Sequence, residues 1–182
     1  MGLILVLGGT RSGKSAVAER LLAGLADVVY LATATAADPE MAARIEVHRA
    51  RRPASWSTLE CSDDPAAALA AAGRRPVLLD GLGVWIAGVL HRAGAFEDPG
   101  RLVGAAADVR AAVATLAVAA GRRDARTVIV VEEAGTAPIA GDSATRSWVD
   151  LVGEAAQHLS AVAERALLVV AGRTVELPAP EG

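Results

Sequence analysis

The feature that most constrains the fold of this chain is the glycine-rich segment "GGTRSGKS" at residues 8–15. It follows the apolar run 3–7 and leads into residues 14–25, where apolar side chains recur at three- and four-residue spacing. This pattern predicts a buried strand that turns through glycines into a helix. In such a turn, backbone N–H groups and the helix N-terminus point at a bound anion. The segment therefore predicts a strand–loop–helix unit that binds phosphate.

Lysine and serine complete the pattern G-x-x-x-x-G-K-[ST] in this loop. Lys14 is the only lysine of the chain, and the other 17 of its 18 basic side chains are arginines. A compact ammonium fits among phosphate oxygens, whereas a guanidinium is broader and differently aimed. We expect Lys14 to reach the β- and γ-phosphates of a nucleotide and Ser15 to ligate Mg²⁺. The alternative, a chance glycine-rich turn, is disfavoured by the rarity of lysine here.

Short aliphatic runs alternate with long helical stretches along the rest of the chain. The runs are continuous rather than alternating, which is typical of parallel strands buried on both faces. The pattern predicts an α/β fold with a mostly parallel sheet flanked by helices, and a tail that adds an antiparallel edge strand. We expect residues 66–73 to form a surface helix. The predicted strands are 3–7, 28–33, 76–82, 127–133 and 166–172, and the predicted helices are 14–25, 83–92, 101–120 and 144–164.

Length and composition limit the classes of function. A chain of 182 residues suits one domain over 1–182. Its net charge of -3 argues against a general nucleic-acid binder, which needs a broad excess of basic charge. A single cysteine, Cys61, excludes an internal disulfide and indicates inert packing and a cytoplasmic location. No uninterrupted apolar run reaches the roughly 20 residues of a membrane helix, so we expect no membrane insertion.

Acidic residues follow two of the predicted strands, where a carboxylate can complete a Mg²⁺ site beside the phosphate loop. Asp80 ends the run "VLLD" and is the preferred candidate. Glu132 and Glu133, which follow "VIVV", are the alternatives. Each of the three also has a simpler interpretation as a helix N-cap or a solvated strand end.

A histidine lies among arginines in residues 38–53, which read as a helix that Asp38 and Pro39 begin. Arg44, His48 and Arg52 recur every four residues and share one face. Neighbouring cations disfavour imidazolium, so His48 is expected to be neutral and nucleophilic. A solvated basic helix with an incidental histidine explains the same pattern, and the residues alone leave both interpretations open.

Several segments together resemble a known family, the bifunctional adenosylcobinamide kinase / adenosylcobinamide-phosphate guanylyltransferase of cobalamin assembly. The resemblance runs from about residue 3 to 172, and its most specific part is 28–56. The segments that carry it are "GGTRSGKS", "VVYLATATAADPEMAARIEVHRARRPASW", "VLLDGLGVWIAGVL" and "VEEAG" followed by R-x-W-x-D-x-x-G.

The resemblance implies two reactions at one site. A nucleoside triphosphate, ATP or GTP, phosphorylates adenosylcobinamide; GTP then guanylylates a histidine, which matches His48, and GMP passes to the corrinoid phosphate. It also implies a RecA-like P-loop fold, Mg²⁺ and a homotrimer. Lys14 and His48 are the implied catalytic residues, and Ser15 and Asp80 the implied metal ligands. The implied nucleotide contacts are Gly8, Gly9, Thr10, Arg11, Ser12, Gly13, Lys14, Ser15, Ala32, Thr33, Ala34, Arg49, Ala50, Arg51, Arg52, Glu60 and Asp80.

The chain departs from the family pattern at a few positions. Glycines follow Asp80 in "LLDGLGVW", where a cysteine or threonine is common, and "AGTAPIAGD" lacks the usual glycine–aliphatic–proline order. Two other functions compete with the resemblance: a P-loop small-molecule kinase that does not need His48, and a GTP-binding switch. The switch normally reads guanine through N-K-x-D, which a chain with Lys14 as its only lysine does not contain.

Overall fold

Seven strands and five α-helices alternate along the computed structural model, which describes residues 2–33, 49, 52–61, 64–136 and 139–179. The strands are β1 (Leu3–Gly8), β2 (Val29–Ala32), β3 (Ser57–Glu60), β4 (Val77–Asp80), β5 (Thr127–Glu132), β6 (Arg165–Val170) and β7 (Arg173–Leu177). The helices are α1 (Lys14–Leu21), α2 (Pro65–Ala71), α3 (Leu82–Arg92), α4 (Leu102–Gly121) and α5 (Ser143–Ser160), with a 3-10 turn at Pro99–Arg101.

All seven strands join one sheet in the order β3-β2-β4-β5-β1-β6-β7. Every pairing is parallel except β6 with β7, which is antiparallel. Helices cover both faces. The structure therefore confirms the predicted class, an α/β fold with a mostly parallel sheet, flanking helices and an antiparallel edge strand.

The central strands are buried on both faces, as their continuous apolar runs predict. In β1, Leu3 and Leu5 enter the larger apolar core, which includes residues of α2, α3, α4 and α5. Ile4 and Val6 point to the other face and pack in a second core with Val17 of α1. One strand thus contributes to two cores by simple alternation of its side chains.

Parallel pairing brings the carboxyl ends of the strands to one edge of the sheet. Gly8 at the end of β1 pairs with Glu132 at the end of β5. Ala32 at the end of β2 pairs with both Asp80 of β4 and Glu60 of β3. Sequence-distant residues are therefore neighbours at this edge, where ligands bind in open α/β sheets.

Strand β3, Ser57–Glu60, is absent from the sequence prediction. It lies at the sheet edge, and three of its four residues are exposed. Because an edge strand with polar side chains lacks a continuous apolar run, neither periodicity nor composition identifies it. The tail strand β7, in contrast, was predicted as an antiparallel addition, and its pairing with β6 confirms that prediction.

Two predicted strands end two residues earlier than expected, because the backbone turns at residues with positive φ. The predicted strand 76–82 stops at Asp80, since Gly81 has φ 93° and caps α3. The predicted strand 166–172 stops at Val170, because Ala171 (φ 51°) and Gly172 (φ 77°) form the tight turn into β7. Two consecutive residues with positive φ are the signature of a type I′ hairpin turn.

Helix α2 corrects the predicted surface helix at 66–73. It spans Pro65–Ala71, and Ala66, Ala68 and Leu69 are buried in the larger core. Small alanine side chains let one face of the helix lie close to its neighbours, which low complexity alone did not indicate. Cys61 is 1% exposed within the same core, in agreement with the predicted packing role.

One stretch among the described residues, Pro99–Gly121, is long and apolar enough to cross a membrane by length and composition, with a mean hydropathy of 1.6. Core helices of soluble proteins satisfy the same criterion. Here α4 packs Val109, Val113 and Leu116 into the larger core, and Arg110 forms a bidentate ion pair with Glu154 of α5.

Candidate active site

The phosphate loop connects β1 to α1 at the carboxyl edge of the sheet. Gly13 is the N-cap residue of α1, has φ 93° and offers no side-chain cap to the helix. The first N–H groups of α1 therefore have no side-chain acceptor from their own cap position, which is the condition for binding an anion. The loop has the geometry that the sequence predicts.

Two glycines of the loop are required by close contacts. A Cβ on Gly8 would lie 2.5 Å from Ser12 Oγ and 2.8 Å from the carbonyl oxygen of Val169. A Cβ on Gly13 would lie 3.2 Å from Gly172 Cα, and the φ of Gly13 disfavours a side chain in any case. The motif glycines are thus fixed by tertiary packing as well as by loop conformation.

The β6–β7 turn supports the loop from outside. The N–H of Gly172 donates to the carbonyl oxygen of Ser12 at 2.7 Å, and the N–H of Ser12 donates to the carbonyl oxygen of Gly9 at 3.2 Å. A hairpin far along the chain therefore helps to hold the loop in shape.

Lys14 points back over the loop that precedes it. Its Nζ donates to the carbonyl oxygen of Gly9 at 3.3 Å and is partly buried. The ammonium therefore lies beside the backbone of the same loop, at the carbonyl of Gly9. The role of Lys14 at a nucleotide's phosphates stays a prediction.

Ser15 and Asp80 meet across the site. Ser15 Oγ donates to Asp80 Oδ1 at 3.0 Å, although the two residues are 65 positions apart. Thr33 fixes the backbone beside them, since its Oγ1 donates to the carbonyl oxygens of Asp80 and Gly81, 3.0 Å from each. The structure therefore brings together the hydroxyl and the carboxylate that the sequence analysis preferred as a pair of Mg²⁺ ligands.

Tyr30 joins this pair to a cation. Its hydroxyl donates to Asp80 Oδ2 at 3.4 Å, and the guanidinium of Arg52 lies 3.7 Å from the centroid of its ring. Burial, and after it the charge of Asp80, raises the pKa of Tyr30 well above its usual range, with Arg52 opposing part of the shift. The phenol is therefore neutral and acts as a hydrogen-bond donor and a stacking platform.

The alternative carboxylates make other contacts. Glu132 Oε2 accepts a hydrogen bond from the N–H of Gly83 at 2.8 Å, and Glu133 Oε1 accepts one from the N–H of Gly135 at 3.2 Å. Burial raises the pKa of Glu132, and the positive charge of Lys14 offsets only part of that effect. Of the three candidates, Asp80 is the one that contacts Ser15.

The structure places most of the predicted nucleotide contacts at the same edge of the sheet. Ala32 and Glu60 end their strands beside Asp80, and Arg52 precedes β3. Arg49 is exposed. Five residues that the sequence analysis names as nucleotide contacts or as members of the helix with His48 lie outside the described residues: Ala34, Arg44, His48, Ala50 and Arg51.

Three residues of the site had no role assigned from the sequence, although each lies in a segment that carries the resemblance or departs from it: Tyr30, Gly83 and Trp148. The indole Nε1 of Trp148 donates to the carbonyl oxygen of Gly83 at 2.8 Å, which ties α5 to the start of α3. For Tyr30 and Trp148, an isolated aromatic residue in a chain with only 3% aromatics was an available signal. For Gly83, the available signal was the departure from the family pattern in the glycines that follow Asp80.

Comparison with known proteins identifies close relatives. The family model for cobinamide kinase / cobinamide phosphate guanyltransferase matches residues 4–177. A bifunctional adenosylcobalamin biosynthesis protein CobP from Pseudomonas aeruginosa is 42% identical, with 97% of this chain and 95% of the relative aligned. A bifunctional adenosylcobalamin biosynthesis protein CobU from Salmonella typhimurium is 35% identical, with 96% of this chain and 99% of the relative aligned.

A solved structure of the P4 protein from bacteriophage phi6 in complex with ADP aligns with 96% of this chain at 16% identity and a TM-score of 0.47. The chain spans about half, 54%, of the length of that protein. The family assignment rests on the sequence matches, which cover nearly the whole chain and agree with the phosphate-loop geometry described above. The chain belongs to the family of bifunctional cobinamide kinases and cobinamide phosphate guanylyltransferases.

Proposed function

We propose that this protein phosphorylates adenosylcobinamide with a nucleoside triphosphate and then converts the product to adenosylcobinamide-GDP with GTP. In the first reaction the corrinoid hydroxyl oxygen bonds to the γ-phosphorus, the nucleoside diphosphate leaves and the hydroxyl proton is released. In the second, a histidine nitrogen bonds to the α-phosphorus of GTP and pyrophosphate leaves. The phosphate oxygen of the corrinoid then displaces the histidine from GMP.

The contact between Ser15 and Asp80 is the observation that carries this proposal, together with family membership. A hydroxyl from the first turn of a helix and a carboxylate from a strand end meet beside a loop that carries Lys14. Phosphoryl and nucleotidyl transfer depend mainly on positioning and on stabilisation of phosphate charge, which such a constellation supplies.

The chain's own groups would bind and orient the phosphates. The loop N–H groups and the N-terminus of α1 attract phosphate oxygens, and the ammonium of Lys14 exchanges its contact with the carbonyl of Gly9 for a phosphate. Arg52, held over the ring of Tyr30, adds a fixed cation on the side of β2. These groups serve both reactions, because both develop charge on phosphate oxygens.

The donor set fits Mg²⁺. Ser15 and Asp80 offer a hydroxyl and a carboxylate oxygen 3.0 Å apart, and Mg²⁺ prefers oxygen ligands together with substrate phosphates. When bound, the ion supplies charge neutralisation on the phosphates. Tyr30 donates to the second oxygen of Asp80 and thereby orients the carboxylate.

His48 is the proposed nucleophile of the guanylyl transfer. The support is the resemblance of segment 28–56 to the family and the arginines that flank His48 in sequence. A covalent intermediate divides one transfer between two large substrates into two displacements at a single atom. Neighbouring arginines keep the imidazole neutral and hold the triphosphate.

Labelling with GTP that carries ³²P at the α-phosphorus tests this assignment. The protein is incubated with labelled GTP and Mg²⁺, denatured and digested, and the peptide that contains His48 is assayed for acid-labile, base-stable label. We expect label on that peptide in the wild type and none in His48→Asn.

The kinase reaction supplies the control. His48→Asn is expected to transfer the γ-phosphate to adenosylcobinamide, since that step does not use the histidine. Label that persists in His48→Asn would move the nucleophile elsewhere. Kinase activity without any GMP label in the wild type would leave a P-loop small-molecule kinase.

We further propose that residues 1–182 form one domain and that the protein assembles as a homotrimer in the cytoplasm. Its substrate is a corrinoid, and we expect it to bind neither nucleic acid nor a membrane. The net charge of -3 supports a small anionic ligand over a nucleic acid. Native mass spectrometry tests the assembly directly, and a monomer or dimer at micromolar concentration would refute the trimer.

A further inference from the structure

Helix α3 begins immediately after Asp80 and lacks an N-terminal cap of its own. Its N-cap residue is Gly81, which has φ 93° and no side chain to accept a hydrogen bond. The first N–H groups of a helix need acceptors, and those of α3 lie in the buried interior, where water does not satisfy them easily. Leu82 and Gly83 are both buried. Another part of the chain must supply the acceptor.

Glu132 supplies it from the neighbouring strand. Its Oε2 accepts a hydrogen bond from the N–H of Gly83 at 2.8 Å, so the carboxylate at the end of β5 caps a helix whose second residue lies 49 positions earlier in the chain. The contact therefore acts as an N-cap supplied by a distant strand.

The carboxylate occupies the space of an absent side chain. A Cβ on Gly83 would lie 2.4 Å from Glu132 Oε2 and 3.1 Å from its carboxyl carbon. Both atoms belong to a side chain that is pinned by its hydrogen bond, so a residue larger than glycine at position 83 displaces Glu132. Glycine at 83 and glutamate at 132 are thus a matched pair.

Gly83 is anchored on its other side as well. Its carbonyl oxygen accepts a hydrogen bond from Trp148 Nε1 at 2.8 Å. The turn between Asp80 and α3 is further held by Thr33 Oγ1, which donates to the carbonyl of Gly81 at 3.0 Å. The start of α3 is therefore held by β5, by α5 and by Thr33, which follows β2, and Asp80 is the residue that leads into this turn.

We propose that Glu132 is a positioning residue for the nucleotide site. Its carboxylate fits beside Gly83, where there is no side chain, and holds the start of α3. The start of α3 in turn keeps the carboxylate of Asp80 against Ser15. The expected effect on nucleotide binding rests on the proposed function, because Asp80 and Ser15 are the groups that would hold the Mg²⁺-bound nucleotide. The proposal assigns to Glu132 a structural hydrogen bond in place of the metal-ligand role that was an alternative to Asp80.

Titration calorimetry with Mg²⁺ and GTP, or with Mg²⁺ and ATP, tests the proposal on the whole protein. Glu132→Ala removes the acceptor, and we expect the nucleotide affinity to fall by roughly five- to tenfold, the effect of a lost cap or buried hydrogen bond. Glu132→Gln retains an acceptor oxygen, and we expect its affinity within about twofold of the wild type.

Gly83→Ala tests the matched pair. Its Cβ pushes the carboxylate away, so we expect an affinity as low as that of Glu132→Ala. The double variant Glu132→Ala/Gly83→Ala is expected to be no weaker than the worse single variant, because both changes remove one interaction. Effects that simply add would overturn the matched pair.

Asp64→Ala is the control for a lost cap at a helix that carries none of the proposed nucleotide contacts. Asp64 Oδ1 accepts from the N–H groups of Ala66 and Ala67 and caps α2. We expect this variant to lose stability in urea to a similar extent as Glu132→Ala but to bind the nucleotide like the wild type. Equal affinities for Asp64→Ala and Glu132→Ala would reduce Glu132 to an ordinary cap and overturn the proposal.

The remaining outcomes are distinct. If Glu132→Gln is as weak as Glu132→Ala, the charge and not the hydrogen bond matters, and the positioning role is wrong. If the wild type binds nucleotide but catalyses neither reaction, the proposed function fails while the binding series still decides on Glu132. If the wild type binds neither nucleotide, both proposals fail.

Discussion

The guanidinium of Arg52 lies over the ring of Tyr30, 3.7 Å from its centroid, and the hydroxyl of the same tyrosine donates to Asp80 Oδ2 at 3.4 Å. Tyr30 of β2 thereby connects the guanidinium of Arg52 to the carboxylate of Asp80, which also contacts Ser15. The cation is placed relative to the phosphate loop by an aromatic platform.

Tyr30→Leu is expected to raise the KM for GTP in guanylyl transfer by about two- to fivefold, the worth of a partly exposed cation–π contact. Tyr30→Phe keeps the platform and loses only a long hydrogen bond, so its KM is expected to stay close to that of the wild type. Steady-state kinetics of both variants check this. A defect in Tyr30→Phe as large as that in Tyr30→Leu would show that the hydroxyl, which both variants lack, and not the ring carries the effect.

Lys14→Ala is expected to reduce both the kinase and the guanylyltransferase rate by at least about 100-fold, because the loop loses the charge that stabilises the phosphates. Lys14→Arg keeps the charge but replaces a compact ammonium with a planar guanidinium, and we expect it to recover little of the activity. Initial rates of both reactions measure the effect. Full activity in Lys14→Arg would contradict the steric explanation for the single lysine.

Asp80→Asn is expected to raise the Mg²⁺ concentration for half-maximal rate by roughly tenfold or more, since a neutral amide is a poorer ligand for a hard cation. Titration of both reactions with Mg²⁺ checks it. Glu133→Gln serves as the comparison, because Glu133 was a competing candidate but contacts Gly135. A larger shift in Glu133→Gln than in Asp80→Asn would transfer the metal role to Glu133.

The buried carboxyl of Glu132 predicts a pH dependence of stability. Burial raises its pKa above the ordinary 4.5, so the folded protein holds this proton more tightly than the unfolded chain. Its contribution to stability is full below pH 4.5 and is lost as the pH rises through the raised pKa. Glu132→Gln has no such titration. Urea unfolding at a series of pH values is therefore expected to show the wild type losing stability relative to Glu132→Gln as the pH rises.

Gly172→Ala tests the support of the phosphate loop by the β6–β7 turn. At φ 77° a side chain costs about 1 kcal/mol, and strain there disturbs the hydrogen bond from the Gly172 N–H to Ser12. Gly24→Ala is the matched control, because Gly24 has φ 82° and equally open surroundings. Both variants are expected to lose similar stability, and only Gly172→Ala to raise the KM for nucleotide. Unchanged kinetics in Gly172→Ala would refute the support role.

The sequence determined the phosphate loop, the buried strands and the order of helices, because each depends on local patterns. A glycine-rich turn after an apolar run specifies strand–loop–helix, and continuous aliphatic runs specify a sheet covered on both faces. Local patterns also placed the candidate carboxylates at strand ends, and among Asp80, Glu132 and Glu133 the preferred candidate, Asp80, is the one that contacts Ser15.

Only the tertiary structure decided the contacts between residues far apart in the chain. The edge strand β3 carries no apolar signal, and its position beside β2 follows from pairing that periodicity does not encode. The platform of Tyr30 under Arg52 and the cap that Glu132 provides at Gly83 depend on which strand ends meet. Local sequence fixes the conformation of each element, whereas register and packing fix which side chains share a site, because those depend on the whole sheet at once.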